Sequence, residues 1–121
     1  MKLKNLEWIS VGLMVVIGVI HLMGVRVEGS SYVGVLFAAN FLGAIVAAVG
    51  IYRASIWGWM LGFVVSAGAI AGYVVSRTVG MPGMGVEAWM NPLGMLSLVV
   101  EAAFIILMFN ITPWKGLAQN L

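Results

Sequence analysis

The fold of this chain is decided by residues 32–52, which read YVGVLFAANFLGAIVAAVGIY. This stretch contains no charged side chain, and its only amide is that of Asn40. An α-helix needs about 20 mostly apolar residues to cross a bilayer. Because the apolar run is continuous and does not alternate with polar residues, it predicts a membrane-spanning helix rather than a strand.

Three further segments on either side of this one have the same character. The predicted spans are residues 6–24, 32–52, 55–76 and 92–110, with an outer loop at residues 77–91. Pro92 suits the first turn of the last helix, where a missing N–H costs nothing. Short connections make successive helices antiparallel neighbours. We therefore expect residues 1–121 to form a single transmembrane domain. Its fold class is all-α: an integral membrane four-helix bundle that runs up-down-up-down.

The composition of the chain supports lipid as its solvent. Hydrophobic residues make up 63% and charged residues 8%, whereas soluble domains average roughly 45–50% and 25%. The first span follows Lys2 and Lys4, but its apolar run is long for a signal peptide and lacks a small-x-small cleavage site. We therefore expect it to be retained as a helix.

The orientation follows from the distribution of basic residues. One side of the membrane would hold Lys2, Lys4, Arg53 and Lys115, and the other would hold Arg26 and Arg77. This asymmetry predicts that both termini lie on the cytoplasmic side.

Several classes of chemistry are excluded by what the sequence lacks. The chain has no cysteine and one histidine, and it has no aspartate. Disulfides, thiolate metal sites, a Ser-His-Asp triad and a two-histidine haem site within one chain are therefore impossible. The net charge of +2 is too small to indicate nucleic acid as a partner. The sequence favours a protein that is not an enzyme and has no cofactor.

Glu101 is the most informative residue, because it falls near the middle of the last predicted helix. A carboxyl group at that depth costs a few kcal/mol, so it normally faces the protein interior and has a partner. Two readings stay open. Protonated Glu101 could bond Asn40, Ser66 or Tyr73 as a clamp between helices, or it could carry protons or bind a cation or polar ligand.

Each predicted helix carries one stripe of small or polar residues at helical spacing. If the stripes converge, Asn40, Ser66 and Glu101 meet in the core, with His21, Tyr73 and Arg77 nearer the outer face. These residues form the candidate ligand or proton site: Glu101, Asn40, His21, Ser66, Tyr73 and Arg77.

Two of these side chains have alternative roles. His21 is either an interfacial hydrogen-bonding residue or a group that exchanges protons with Glu101. Arg77 either reaches the lipid headgroups, pairs with Glu87, or extends inward to Glu101.

No metal site is expected, although thioethers in and near the outer loop could bind Cu(I) weakly. These weak candidates are Met23, Met81, Met84 and Met90. The alternative interpretation of the loop is a glycine-proline turn at residues 80–85, followed by a short amphipathic stretch at residues 86–90.

The third predicted helix carries the pairs Gly58-x-x-x-Gly62 and Gly68-x-x-x-Gly72. Small residues at this spacing let helices approach closely in a membrane. The glycines therefore indicate either packing within the chain or self-association through a glycine-rich face.

The outer loop also carries a resemblance. The chain resembles a group of small uncharacterised prokaryotic membrane proteins in three places. These are the run Gly72-Tyr-Val-Val-Ser-Arg-Thr-Val-Gly-Met-Pro-Gly83, the run Asn91-Pro-Leu-Gly94, and Glu101 in the last helix. These proteins have four transmembrane helices and an S-R-T-V-G-x-P-G loop. The resemblance implies four spans in a prokaryotic cytoplasmic membrane and implies no substrate.

Three functions are compatible with these features. The first is a non-catalytic subunit or interaction protein of a larger membrane assembly, favoured by the small size and the glycine-rich faces. The second is a small proton- or cation-coupled carrier or channel that uses Glu101 and acts as an oligomer. The third is a membrane protein that binds a quinone, a lipid or a metal.

Overall fold

The computed structural model describes residues 5–28, 32–53, 55–83, 85 and 92–111. These residues form four α-helices and, within the described ranges, no strand. The helices are α1 (Asn5–Glu28), α2 (Tyr32–Tyr52), α3 (Ile56–Thr78) and α4 (Pro92–Ile111). The prediction of an all-α fold with four helices is confirmed. All four are long and apolar enough to cross a bilayer, which indicates an integral membrane protein.

Two helices are longer at their loop ends than the sequence predicts. Helix α1 continues to Glu28 and takes Arg26 into its last turn, where a cation interacts favourably with the helix dipole. Helix α3 continues to Thr78, and hydroxyl groups in its last turns donate back to helix carbonyls. Ser76 Oγ donates to Tyr73 O at 2.7 Å, and Thr78 Oγ1 donates to Val74 O at 2.8 Å.

The connection between α2 and α3 is a tight, capped turn. Ser55 is the N-cap of α3, and its hydroxyl accepts a bond from Trp57 N at 3.2 Å. Ser55 N donates to Gly50 O at 2.9 Å. A Cβ on Gly58 would lie 2.4 Å from the carbonyl carbon of Gly50. The two helix backbones therefore approach so closely here that only glycine fits at position 58.

The four helices form a ring in which each packs on two neighbours: α1 on α2, α2 on α3, α3 on α4, and α4 on α1. Contacts near the helix ends give their relative directions. The rings of Trp8 and Tyr52 lie 5.5 Å apart, and those of Phe63 and Phe109 lie 6.0 Å apart. Neighbouring helices are therefore antiparallel. We call the end at which α1 begins and α4 ends the terminal end, and the opposite end the loop end.

The apolar core fills the bundle between its middle and the terminal end. Its most buried members come from all four helices: Met14, Ile17, Ala44, Ala47, Ile51, Trp59, Phe104 and Met108. The rings of Trp59 and Phe104 stack with their centroids 5.9 Å apart. A Cβ on Gly62 would lie 2.6 Å from the Phe104 ring, so Gly62 makes room for that ring.

The outer surface of the bundle is also apolar. Large hydrophobic side chains on every helix are exposed, among them Val16, Val35, Leu42, Val64, Val99 and Ile106. A soluble protein rarely exposes contiguous apolar surface of this kind. The perimeter is suited to contact with lipid chains.

The connection after α3 begins with the predicted glycine-proline turn. Gly80 N donates to Val75 O at 2.8 Å, and Gly80 and Gly83 adopt left-handed φ values of 83° and 79°. Gly80 thus ends α3 in the way that left-handed glycines commonly end helices. The hydroxyl of Tyr32 donates to Pro82 O and joins this turn to the start of α2. The amphipathic stretch predicted at residues 86–90 lies outside the described residues.

Candidate functional site

Glu101 faces the interior of the bundle, as the sequence predicts. Its relative exposure is 1%. It lies on one face of α4 with Gly94, Ser97, Phe104 and Met108, which are spaced three or four residues apart. Because α4 begins at Pro92 and ends at Ile111, Glu101 is near the middle of a helix long and apolar enough to cross a membrane, and a carboxyl group is costly at the centre of a bilayer.

The nearest ionisable partner of Glu101 is His21 of α1. Glu101 Oε2 lies 3.6 Å from His21 Nε2, which is within ion-pair range and slightly longer than a hydrogen bond. His21 is also buried, with 5% exposure. It shares the inward face of α1 with Ser10, Met14 and Ile17, as the sequence spacing predicts. The structure thus brings together the only histidine of the chain and a buried glutamate.

The other ring nitrogen of His21 fixes the tautomer. Nδ1 lies 2.7 Å from the carbonyl oxygen of Ile17, one turn earlier in the same helix. A carbonyl oxygen can only accept a hydrogen bond, so Nδ1 carries the hydrogen and donates. In neutral His21, Nε2 is therefore the acceptor, and it faces the Glu101 carboxyl group. A hydrogen bond between the two side chains needs one proton, which lies either on His21 Nε2 or on Glu101 Oε2.

The second partner of Glu101 is Ser97, whose hydroxyl hydrogen-bonds the carboxyl group from one turn earlier in α4. The sequence predicts Asn40, Ser66 or Tyr73, on α2 and α3, as partners of Glu101, and this stays a prediction. The partners described above lie on α1 and on Glu101's own helix. The reason is the ring order of the bundle, which makes α1 and α4 neighbours. A helical side chain also leans toward the start of its helix, so Glu101 points toward the level of His21.

Asn40 joins α2 to α3 rather than to α4. Its Nδ2 donates to the carbonyl oxygen of Val65 at 3.2 Å. Ser66 is fully buried next to that carbonyl. Three buried oxygens in this part of the bundle have no hydrogen-bond partner: Asn40 Oδ1, Ser66 Oγ and Glu101 Oε2.

Tyr73 and Arg77 form a second polar cluster nearer the loop end. The guanidinium of Arg77 lies over the Tyr73 ring, 3.9 Å from its centroid, and Arg77 Nη1 donates to Ser76 Oγ at 2.6 Å. Both side chains pack on Gly94, where an added Cβ would lie 2.5 Å from Tyr73 and 3.3 Å from Arg77 Nη2.

Gly94 is two turns from Glu101 in α4, or about 10 Å along the axis. The guanidinium of Arg77 rests on Tyr73 at the level of Gly94, and the alternative in which Arg77 extends inward to Glu101 stays a prediction. Its other alternative, a pair with Glu87, involves a residue outside the described part of the chain.

The weak copper ligands are not brought together in the part of the chain that the structure describes. Met23 is about half exposed on the surface of α1, and Met81 lies in the turn after α3. Met84 and Met90 lie outside the described residues. Among those residues there is also no group of three His or Glu side chains that could hold a metal ion.

No family model, no curated protein and no solved structure matches this chain. The proposed function therefore rests on the residues of the site.

The direct contact between His21 and Glu101 could not be predicted from helical spacing alone. The spacing predicts both residues on inward faces, but it puts His21 above Glu101 rather than against it. The signal that could have found the contact is the ring order, since a four-helix up-down bundle makes its first and last helices neighbours. Both residues lie on the loop-end side of the apolar core formed by Met14 and Phe104.

Proposed function

We propose that this protein binds and releases a proton at the His21–Glu101 pair inside the membrane, as a small proton-coupled carrier or channel. The observation that carries the proposal is the 3.6 Å approach of His21 Nε2 to Glu101 Oε2, with Nδ1 held by Ile17 O at 2.7 Å. A buried ionisable residue in a membrane-spanning helix is by default a functional candidate. A histidine beside it supplies a group suited to proton exchange near neutral pH.

The pair can hold its proton without leaving a net charge in the membrane. With one shared proton it is either neutral His21 with protonated Glu101 or an ion pair, and both states sum to zero. The other helices place few ionisable groups near it. Helix α2 contains no charged residue, and the Tyr73 and Arg77 cluster of α3 lies nearer the loop end. Adding or removing one proton therefore changes the net charge of a buried region, which couples protonation to the stability of the packed state.

The surroundings of the pair favour access from the loop end. Ser97, Tyr73 and Ser76 continue a row of buried polar residues from Glu101 toward that end. On the opposite side the stacked rings of Trp59 and Phe104 close the core. A carrier would have to open this aromatic contact to exchange protons with the terminal end. Four helices enclose little space, so we propose that the protein acts as an oligomer.

We further propose an arrangement in a prokaryotic cytoplasmic membrane with both termini inside. The support is the excess of Lys and Arg at the terminal end and the resemblance of the 76–83 loop to small prokaryotic membrane proteins. In this orientation the loop end is outside, and the His21–Glu101 pair takes protons from there.

The test is proton flux into liposomes that contain the purified protein, driven by an imposed potential and followed with an internal pH dye. Glu101→Gln keeps the shape of the side chain but removes the ionisable group, and we expect it to lower the protein-dependent flux at least tenfold. Glu7→Gln is the matched control, because Glu7 is buried in the first turns of α1, far from the pair. Wild-type flux equal to that of Glu101→Gln, or of empty liposomes, would reject the proposal.

A second candidate function is a non-catalytic subunit of a larger membrane assembly. The observation in its favour is that the two glycine pairs of α3 differ. Gly58 and Gly62 pack inside the bundle, whereas added Cβ atoms on Gly68 and Gly72 would meet nothing within 4 Å. The second pair is thus open to another helix.

The subunit candidate is tested by the native mass and composition of the protein extracted gently from its own membrane. Other chains that co-purify in a fixed ratio would favour the subunit function. Glu101 would then be a clamp between α1 and α4. A homo-oligomer without other chains would favour proton transport.

A further inference from the structure

Among the described residues, three buried oxygens that make no hydrogen bond come from three different helices. They are Asn40 Oδ1 of α2, Ser66 Oγ of α3 and Glu101 Oε2 of α4. Ser66 is fully buried and Glu101 is 1% exposed. Buried polar groups in folded proteins almost always have a hydrogen-bond partner, so each of these oxygens is expected to have one.

The packing of the bundle places these three residues at one level along its axis, which we call the layer. Gly62 of α3 faces both Met14 and Phe104, and Ser66 is one turn further toward the loop end. In antiparallel α4, one turn from Phe104 in the same direction reaches Glu101. Asn40 reaches this layer as well, because its amide bonds the carbonyl of Val65.

We propose that this layer binds one buried water molecule between Asn40, Ser66 and Glu101. The hydrogen-bonding capacities of the three groups match those of a water. Asn40 uses Nδ2 for Val65, which leaves Oδ1 as an acceptor, and Glu101 Oε2 is a second acceptor. Water donates twice and can accept from the Ser66 hydroxyl, so a single molecule satisfies all three oxygens.

The water links the carboxyl group of Glu101 to polar side chains of α2 and α3. His21 and Glu101 join α1 to α4, and Asn40 joins α2 to α3. The bound water connects these two halves through Glu101 Oε2. This binding site stands whether or not the pair carries protons across the membrane, because it rests on unpaired oxygens rather than on transport.

The first test is water-edited solid-state NMR of the full chain in lipid bilayers, which measures how fast water magnetisation reaches each carbon. We expect the side-chain signals of Asn40 and Ser66 to receive it several-fold faster than Ala44 and Ala47 of the apolar core. Ser66→Ala should remove the fast transfer to Asn40. Ser10→Ala, at a buried serine about 16 Å from His21 along α1, should leave it unchanged. Transfer to Asn40 and Ser66 as slow as to the alanines would overturn the proposal.

The second test asks whether Ser66→Ala raises or lowers the thermal midpoint of the protein. With bound water, Ser66→Ala removes a hydrogen bond and should lower the thermal midpoint of the protein in detergent. Without a ligand, the same change removes an unpaired buried hydroxyl, and the midpoint should stay constant or rise. A constant or higher midpoint would overturn the proposal. So would NMR signals of the layer that shift between sodium and potassium buffers, since the ligand would then be a cation.

Discussion

At the scale of the residue, the chemistry of this protein is concentrated in Glu101 and in the atoms around it. The carboxyl group is buried near the middle of a helix that is long and apolar enough to cross a membrane, and it has His21 and Ser97 as partners. An uncompensated charge in a buried site is costly, whereas an apolar side chain of similar size leaves no charge behind when its neighbour His21 is neutral. The response to substitution therefore depends on charge more than on size.

This argument predicts that Glu101→Lys destabilises the fold more than Glu101→Leu. Lysine puts a cation beside His21 in the apolar region and should cost about 3–5 kcal/mol. Leucine keeps the volume without a charge and should cost no more than about 2 kcal/mol. Thermal midpoints in detergent measure the difference, and equal midpoints would contradict the prediction.

The hydrogen bond to Ile17 O predicts the tautomer of His21. Because the carbonyl holds the hydrogen on Nδ1, neutral His21 should be the Nδ1–H form in the wild type and also in Glu101→Gln. Nitrogen-15 NMR of histidine-labelled protein measures this directly, since the chain has a single histidine. Observation of the Nε2–H form would mean that the contact with Ile17 is not the one that orients the ring.

At the scale of the element, α3 shows how the same residue type serves two purposes. Its glycines at positions 58 and 62 let α2 and the Phe104 ring approach closely, whereas Gly68 and Gly72 lie on an uncovered part of the helix. The sequence motif is the same in both places. The difference arises from what packs against each turn of the helix.

We predict opposite effects for two glycine substitutions in α3. Gly58→Ala would put a Cβ 2.4 Å from backbone atoms of Gly50 and Ile51, and since backbone cannot move aside cheaply, it should cost roughly 1–3 kcal/mol or more. Gly68→Ala meets nothing within 4 Å and should gain up to about 1 kcal/mol from helix propensity. Thermal midpoints of both variants are the measurement.

Each of the two predictions for the glycines of α3 has an outcome that would contradict it. If Gly58→Ala were as stable as the wild type, the close approach of α2 and α3 would not hold. If Gly68→Ala were strongly destabilised, another helix would have to cover that face in the native assembly, which would support the subunit function.

At the scale of the whole molecule, the ring of four antiparallel helices separates a polar loop-end half from an apolar core. The ring order puts α1 beside α4 and so creates the His21–Glu101 contact from residues 80 positions apart in the sequence. In a different order of the same helices, His21 and Glu101 would not be in contact.

The proposed orientation of the molecule predicts which end reagents can reach. Because the chain has no cysteine, a single introduced cysteine gives an unambiguous signal. A membrane-impermeant maleimide should label Gly85→Cys in intact cells, and it should label Tyr52→Cys only after the membrane is opened. The reverse pattern would place the loop end inside and the proton site facing the cytoplasm.

The sequence by itself determined the number, the approximate bounds and the inward faces of the helices. These features depend on local properties: apolar length sets the spans, and the spacing of Ser10, Met14, Ile17 and His21 sets the face of α1. They are readable because the bilayer allows few alternatives for an apolar segment.

Only the tertiary structure decided which polar groups touch. The sequence offered several partners for Glu101, and the structure places His21 at 3.6 Å from its carboxyl group and Arg77 over the Tyr73 ring. Side-chain partners depend on the order of helices around the ring and on their relative heights, and neither is encoded in the periodicity of a single helix. The contact on which the proposed function rests therefore came from packing between α1 and α4 and not from any motif in the sequence.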